Sequence, residues 1–181
     1  MISLKKTLNK ILTDPRVNYY ATIILDQDLT WDATNLSSTW CRPSNTMVTH
    51  NKGLEMVNCT LKTIGSKNDS FNFTVVGFVI PQGVSLIEVT TGVGFSVTSS
   101  NAAGIRCGFL TMDNSTSTHA SIIYGSSGWA NGGASYGGMC ASKMISVTPG
   151  QVISTFISKG QSNADFTVQG SRTYFTIKVI A

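Results

Sequence analysis

The sequence has little charge and none of the short motifs that mark catalytic sites. Asp, Glu, Lys and Arg make up 12% of its 181 residues, about half the usual share. Its two histidines, His50 and His119, stand in no nucleophile motif and at no metal-type spacing such as H-x-x-x-H. C-x-x-C pairs, Walker loops and dinucleotide fingerprints are missing too. We therefore predict a protein that is not an enzyme and that holds no metal and no cofactor.

Positive charge is scarce over most of the chain, although the formal net charge is +4. Four of the 13 basic residues and only one of the 9 acidic residues lie between Met1 and Arg16, so the remainder carries a net charge of only +1. A phosphate backbone requires a clustered basic face, and the body of this chain offers none. We therefore predict no nucleic-acid partner.

The opening segment, MISLKKTLNKILTDP, predicts a short amphipathic helix over residues 1–14. Its apolar residues follow the spacing of one helical face, and Asp14 and Pro15 end the pattern. Its lysines interrupt the apolar core that a secretory signal needs, which predicts synthesis in a cytoplasm. The segment is also too short and polar to insert into a membrane. We expect it to dock onto a partner protein or its own oligomer, with binding to a membrane surface as the alternative.

The four cysteines are even in number, which in a secreted protein would suggest two disulfides. The missing export signal weakens that interpretation and leaves their redox state open. Cys59 and Cys107 each alternate with apolar neighbours along a predicted strand, which favours a role as small core residues.

From residue 70 onward, short apolar–polar alternating runs separated by turn residues predict a series of strands. Thr148-Pro149-Gly150-Gln151 fits a type II turn, and we expect a hairpin there. The final run, RTYFTIKVIA, predicts a strand that needs a partner in a sheet. Together these runs predict an all-β fold, a β-sandwich or jelly roll with a short N-terminal helix. We assign residues 71–181 to this domain and residues 15–70 to an N-terminal β segment that either belongs to it or folds separately.

Two stretches of this domain carry a resemblance. FVIPQGVSLIEVTTGVG is followed by a glycine-rich segment and then by ISVTPGQVISTFISKGQ. This order resembles the glycine-rich domain of bacteriophage tail fibre and adhesin proteins over about residues 71–181. The resemblance implies a virion structural protein made in the host cytoplasm: a tail fibre, head fibre or receptor-binding component. It also implies a symmetric oligomer, by analogy a trimer, attached to other virion proteins through its N-terminal segment and binding a glycan or protein on the host cell surface.

The glycine-rich stretch YGSSGWANGGASYGGMC, residues 124–140, is predicted to be a long loop held at both ends by the sheet. Loops on rigid scaffolds are frequent binding sites, and aromatic side chains supply contact area at low entropic cost. We therefore predict binding through four residues of this stretch: Tyr124, Trp129, Asn131 and Tyr136. The alternative is that these aromatics cover the end of the sandwich or a subunit interface.

Two other functions stay open at this stage. One is a capsid decoration or tail protein that binds only neighbouring subunits. The other is a secreted lectin-like or C1q-like binding domain. A polysaccharide-cleaving enzyme is a further alternative, although nothing in the sequence selects a pair of carboxylates from the nine acidic residues.

Overall fold

Eleven β-strands account for most of the described part of the chain. The computed structural model describes residues 18–31, 41, 46–65, 67–97, 103–130, 135–159 and 165–181, so the predicted helix over residues 1–14 lies outside the described residues. The strands are β1 (Tyr20–Leu25), β2 (Leu29–Trp31), β3 (Thr46–Lys52), β4 (Glu55–Ile64), β5 (Lys67–Val79), β6 (Leu86–Val97), β7 (Ala103–Met112), β8 (His119–Ala130), β9 (Ser135–Ser146), β10 (Val152–Lys159) and β11 (Phe166–Val179). The predicted all-β class is confirmed.

The strands form two sheets in a jelly-roll arrangement. Sheet A has the order β3-β1-β11-β6-β9, with the short β2 beside one end of β11. Sheet B has the order β10-β5-β4-β8-β7 and closes on itself where β7 pairs with β10. The pairings are antiparallel except for a short parallel contact between β4 and β8. Strands from the first 70 residues therefore lie in both sheets, β1 beside β11 and β4 beside β5.

Alternating residues explain how each strand buries one face. In β11 the side chains of Phe175, Ile177 and Val179 are buried, while Tyr174, which precedes them, and Lys178, which lies between the last two, are exposed. The buried set meets sheet B in an aromatic centre: the ring of Phe175 lies 6.3 Å from the rings of both Phe78 and Phe109. Such ring pairs add to the apolar area that the two sheets bury between them.

The turn at residues 148–151 has the predicted local geometry, but it does not form the predicted hairpin. Gly150 has a φ of 89°, which a type II turn requires at its third residue, and Gln151 N donates to the Thr148 carbonyl at 3.1 Å. The strands on either side, β9 and β10, belong to different sheets. β9 pairs with β6 and β10 pairs with β7, so the turn carries the chain from one sheet to the other.

A second apolar cluster lies on the face of sheet B that is turned away from sheet A. The curl of sheet B encloses eight buried residues on this side: Cys59, Leu61, Val75, Leu110, Met112, Ala120, Val152 and Phe156. Sheet B thus has apolar side chains on both faces. Phe156 is therefore packed among buried neighbours on this face of sheet B.

Candidate functional site

The glycine-rich stretch at residues 124–140 is mostly strand, so the predicted loop is wrong apart from residues 131–134, which lie outside the described residues. Its glycines pair in the sheet ladders: Gly137 faces Phe95 of β6, and Gly138 faces Gly94. Glycine has low strand propensity alone, but pairing and packing with neighbouring strands decide the conformation here. The missing side chains leave room for neighbours to lie across the backbone.

The four predicted binding residues are not brought together. Tyr124 lies in β8 of sheet B, and Tyr136 lies in β9 of sheet A. Trp129 pairs through its backbone with Gly104 of β7, and Asn131 lies outside the described residues. Tyr124 and Tyr136 are both exposed, at 57% and 71% of their surface. They mark two separate surfaces of the molecule.

The first surface is the face of sheet A turned away from sheet B, which we call the outer face. Seven large hydrophobic side chains are exposed among the described residues, and five of them lie on this face. These five come from strands β1, β3, β9 and β11: Tyr20, Met47, Tyr136, Met144 and Tyr174. The other two, Met56 and Tyr124, belong to sheet B. Clustering on a single sheet face distinguishes this surface from the scattered apolar residues of an ordinary surface.

Hydroxyl groups line the middle of the outer face. The Oγ1 atoms of Thr22 and Thr176 lie 3.1 Å apart, and Thr90 Oγ1 donates to Ser142 Oγ at 3.1 Å. The strand register places these four residues in one row across β1, β11, β6 and β9. Because the hydroxyls satisfy one another, the row can be desolvated at lower cost than a row of free polar groups.

A shallow trough of about 600 Å³ opens at one end of the outer face. Gly92, Gly94 and Gly138 form its floor, and their lack of side chains has a visible consequence. The Tyr174 ring lies across Gly92, and the stem of Arg172 lies across Gly94, in the space that a Cβ would fill. Tyr136 stands on the far side of the trough.

Cys140 lines the same trough and is the exposed member of the four cysteines. Its sulfur lies 3.8 Å from the Tyr174 hydroxyl, and this hydrogen bond, together with partial burial, raises the pKa of Tyr174 above its ordinary value. The other three thiols are buried. Burial raises the pKa of Cys41 to about 12 and that of Cys107 to about 11, so neither is a thiolate nucleophile near neutral pH.

The second surface is a depression of about 310 Å³ on sheet B, formed by β7 and β8. Arg106, Tyr124, Gly125, Ser126 and Ser127 line it. The Tyr124 ring meets the buried Phe156 ring edge-on, with 5.8 Å between the ring centres and an interplanar angle of 78°. The glycine-rich surroundings of Tyr124 in the sequence marked it as a candidate binding residue, whereas Arg106, a lone arginine in a predicted strand, gave no signal.

The described residues show no cluster of metal-binding side chains. Among them, no group of three or more His, Cys, Asp or Glu side chains could hold a metal ion. His50 lies in β3 of sheet A and His119 begins β8 of sheet B, and both are exposed. In the part of the chain that the structure describes, no helix has the length and apolar character to cross a membrane.

Comparison with known proteins identifies the fold. The sequence matches no protein-family model and no curated protein. The structure is similar to that of murine APRIL, with a TM-score of 0.50, 6% identity, and coverage of 90% of this chain and 99% of that one. It is also similar to Eiger TNF from S. frugiperda, with a TM-score of 0.53, 4% identity, and coverage of 91% and 94%. At such low identity the similarity concerns the fold, and it confirms the predicted jelly roll.

Proposed function

We propose that this chain is a non-enzymatic binding domain that acts as a symmetric homo-oligomer, with subunits meeting through the outer face of sheet A. The observation that carries the proposal is that, among the residues the structure describes, five of the seven exposed large hydrophobics lie on that face. Leaving such a cluster in water is unfavourable, and contact with other copies removes it from solvent.

The composition of the outer face fits contact with its own copies. The exposed hydrophobic side chains of this face are tyrosines and methionines from four strands. Both residue types are enriched in the cores of protein interfaces. Lys178 and Glu88 face each other in the strand register, so both charge signs occur side by side. Two copies related by symmetry can therefore bring opposite charges together. We expect a homotrimer, as the sequence analysis proposed.

An oligomer of this kind attaches to surfaces through many weak contacts. When several identical sites engage one surface, each further contact forms at a high effective concentration, and avidity exceeds the affinity of one site by roughly 10²–10⁴. We propose that the partner is a glycan or protein displayed on a cell surface. The jelly-roll similarity to Eiger TNF supports the secreted lectin-like or C1q-like domain more than the bacteriophage fibre. The fibre, the capsid decoration and the virion location stay predictions from the sequence.

The subunit contact is tested by Met144→Glu. Met144 lies on the outer face and is 53% exposed in the single chain. A carboxylate buried there without a partner costs about 3–5 kcal/mol, which weakens self-association by roughly 10²–10⁴-fold. Met56→Glu is the matched control, because Met56 is 47% exposed but belongs to sheet B. Sedimentation velocity at micromolar concentration should show an oligomer for the wild type and Met56→Glu, and a monomer for Met144→Glu.

The binding function is tested with the same variants on a printed glycan array and on intact cells. The oligomeric wild type and Met56→Glu should bind and dissociate slowly, whereas monomeric Met144→Glu should dissociate faster by two orders of magnitude or more. A wild-type chain that is monomeric at these concentrations would overturn the proposed assembly. An oligomer that binds neither the array nor any cell would overturn the proposed attachment and favour a purely structural role.

A further inference from the structure

The Arg106–Tyr124 depression on sheet B has an aromatic wall that is fixed in place. The strand register aligns Phe156 of β10, Gly108 of β7 and Tyr124 of β8 in one row across the sheet. Because Gly108 has no side chain, the rings on either side of it come into edge-to-face contact. Phe156 belongs to the second apolar cluster and is only 3% exposed. The Phe156 ring therefore contacts the Tyr124 ring from the side, while most of the Tyr124 side chain stays exposed.

A β-bulge sets which side chains share the depression. Cys107 pairs with Ser126 and Gly108 pairs with Tyr124, so Gly125 is an extra residue with no partner in the register. The bulge shifts the alternation of β8 and leaves both Tyr124 and Ser127 on the side of Arg106. The next row of the sheet consists of Ser158, Arg106 and Ser127. Two hydroxyl-bearing residues thus flank the arginine, one on each neighbouring strand.

The Arg106 guanidinium has no ion pair and no hydrogen bond among the described residues. A guanidinium presents several donors in a fixed plane and matches a carboxylate in two parallel hydrogen bonds. The Tyr124 row and the Arg106 row are two residues apart along β7, which corresponds to about 7 Å. A flat apolar ring face and a cationic fork at this separation suit a ligand that has an apolar ring face and an anionic group at its edge.

From this geometry we infer that the Arg106–Tyr124 depression binds a carboxylated sugar. The C–H face of the sugar ring packs against Tyr124, its carboxylate pairs with Arg106, and its hydroxyls exchange hydrogen bonds with Ser127. The volume of about 310 Å³ falls at the lower end of the roughly 300–1,000 Å³ typical of small-molecule sites. It fits one or two sugar units.

The choice of an acidic sugar follows from the charge of the depression. A neutral sugar would bury the guanidinium without an anionic partner, which costs free energy. A dianionic phosphate would call for a second cation, and Arg106 is the one cationic side chain among the residues that line the depression. The inference deepens the proposed function by naming the ligand class. It rests on the proposed function in one respect: subunit contacts occupy the outer face of sheet A, so the ligand binds to sheet B.

The test is a titration of the full chain with glucuronic acid and with glucose, followed by ligand-observed NMR and calorimetry. We expect glucuronic acid to bind at least about tenfold more tightly than glucose, because its carboxylate alone can pair with the arginine. Arg106→Gln should remove this preference, and Tyr124→Ala should weaken binding of both sugars. Lys62→Gln is the matched control, because it removes one exposed cationic side chain from β4 of the same sheet, outside the lining of the depression and away from the outer face of sheet A. It should bind like the wild type.

Three results would overturn the inference: no binding of glucuronic acid by the wild type, an undiminished preference in Arg106→Gln, or an equal loss in Lys62→Gln. Thermal unfolding of each variant checks that the fold is retained, which is expected because Arg106 and Tyr124 are exposed. The titration measures a single site and needs no oligomer. Repeating it on monomeric Met144→Glu separates a failure of this inference from a failure of the proposed assembly.

Discussion

Replacing Gly125 with alanine tests whether the glycine-rich stretch is packed strand, as in the structure, or mobile loop. A methyl group at this position would overlap the Cβ of Ala141 in β9 and lie 3.2 Å from the Cys107 carbonyl oxygen. Overpacking of this kind costs about 1–3 kcal/mol. Removing a glycine from a strand returns about 0.5–1 kcal/mol. We therefore expect the free energy of unfolding to fall by about 1–2 kcal/mol.

Two further variants make this prediction specific. Ala141→Gly removes the methyl group that Gly125→Ala meets, so the double variant should be less destabilised than the two single variants together, with a coupling of about 1–2 kcal/mol. Gly138→Ala is the control, because its nearest neighbour would be the Val93 carbonyl oxygen at 3.7 Å, an ordinary contact. Urea unfolding at one fixed protein concentration gives all four values. A Gly125→Ala chain as stable as the wild type would refute the reasoning.

Two other predictions concern the core. Phe175→Ala should lower the free energy of unfolding by about 3–5 kcal/mol. Phe175→Leu should lower it by about 1–2 kcal/mol, because the ring pairs with Phe78 and Phe109 are lost. Equal stabilities of the two variants in denaturant melts would contradict this. Burial raises the pKa of Cys107 from 9.0 to about 11. As the pH rises, the thiol therefore ionises first in the unfolded chain. The stability that Cys107 contributes is intact below pH 9 and falls between pH 9 and 11, by up to about 1.4 kcal/mol per pH unit. Cys107→Ala should make that slope shallower in urea melts, with the part due to Cys41 remaining because its pKa is raised as well, and an unchanged slope would count against it.

The sequence was sufficient to predict the fold class because one strand face is buried throughout. The alternation of Phe175, Ile177 and Val179 with polar residues in β11 is a local signal, and burial in the structure follows it. The type II turn at Gly150 is local as well, since its residues determine its backbone angles. Whether the two strands beside the turn pair with each other depends on contacts that are distant in sequence. In the structure β9 pairs with β6, and β10 pairs with β7. The predicted hairpin failed for that reason.

The candidate sites were only partly predictable. Tyr124 and Tyr136 were identified from their glycine-rich surroundings, but sequence proximity suggested one loop where the structure has two sheets. The glycines favour a loop by propensity, and the ladder pairings of residues such as Gly138 override that preference. Arg106 acquires its neighbours Ser127 and Ser158 from two other strands. The pattern along β7 alone therefore gave no indication of this depression.

The central claim is that the outer face of sheet A is covered by other copies of the chain, and Cys140 reports on it directly. This thiol is exposed on that face in the single chain, whereas the other three cysteines are buried. The measurement is the rate at which iodoacetamide alkylates Cys140, followed by mass spectrometry. We expect slow alkylation in the assembled wild type and fast alkylation in monomeric Met144→Glu. Equal rates in an oligomeric wild type and in the monomeric variant would contradict it.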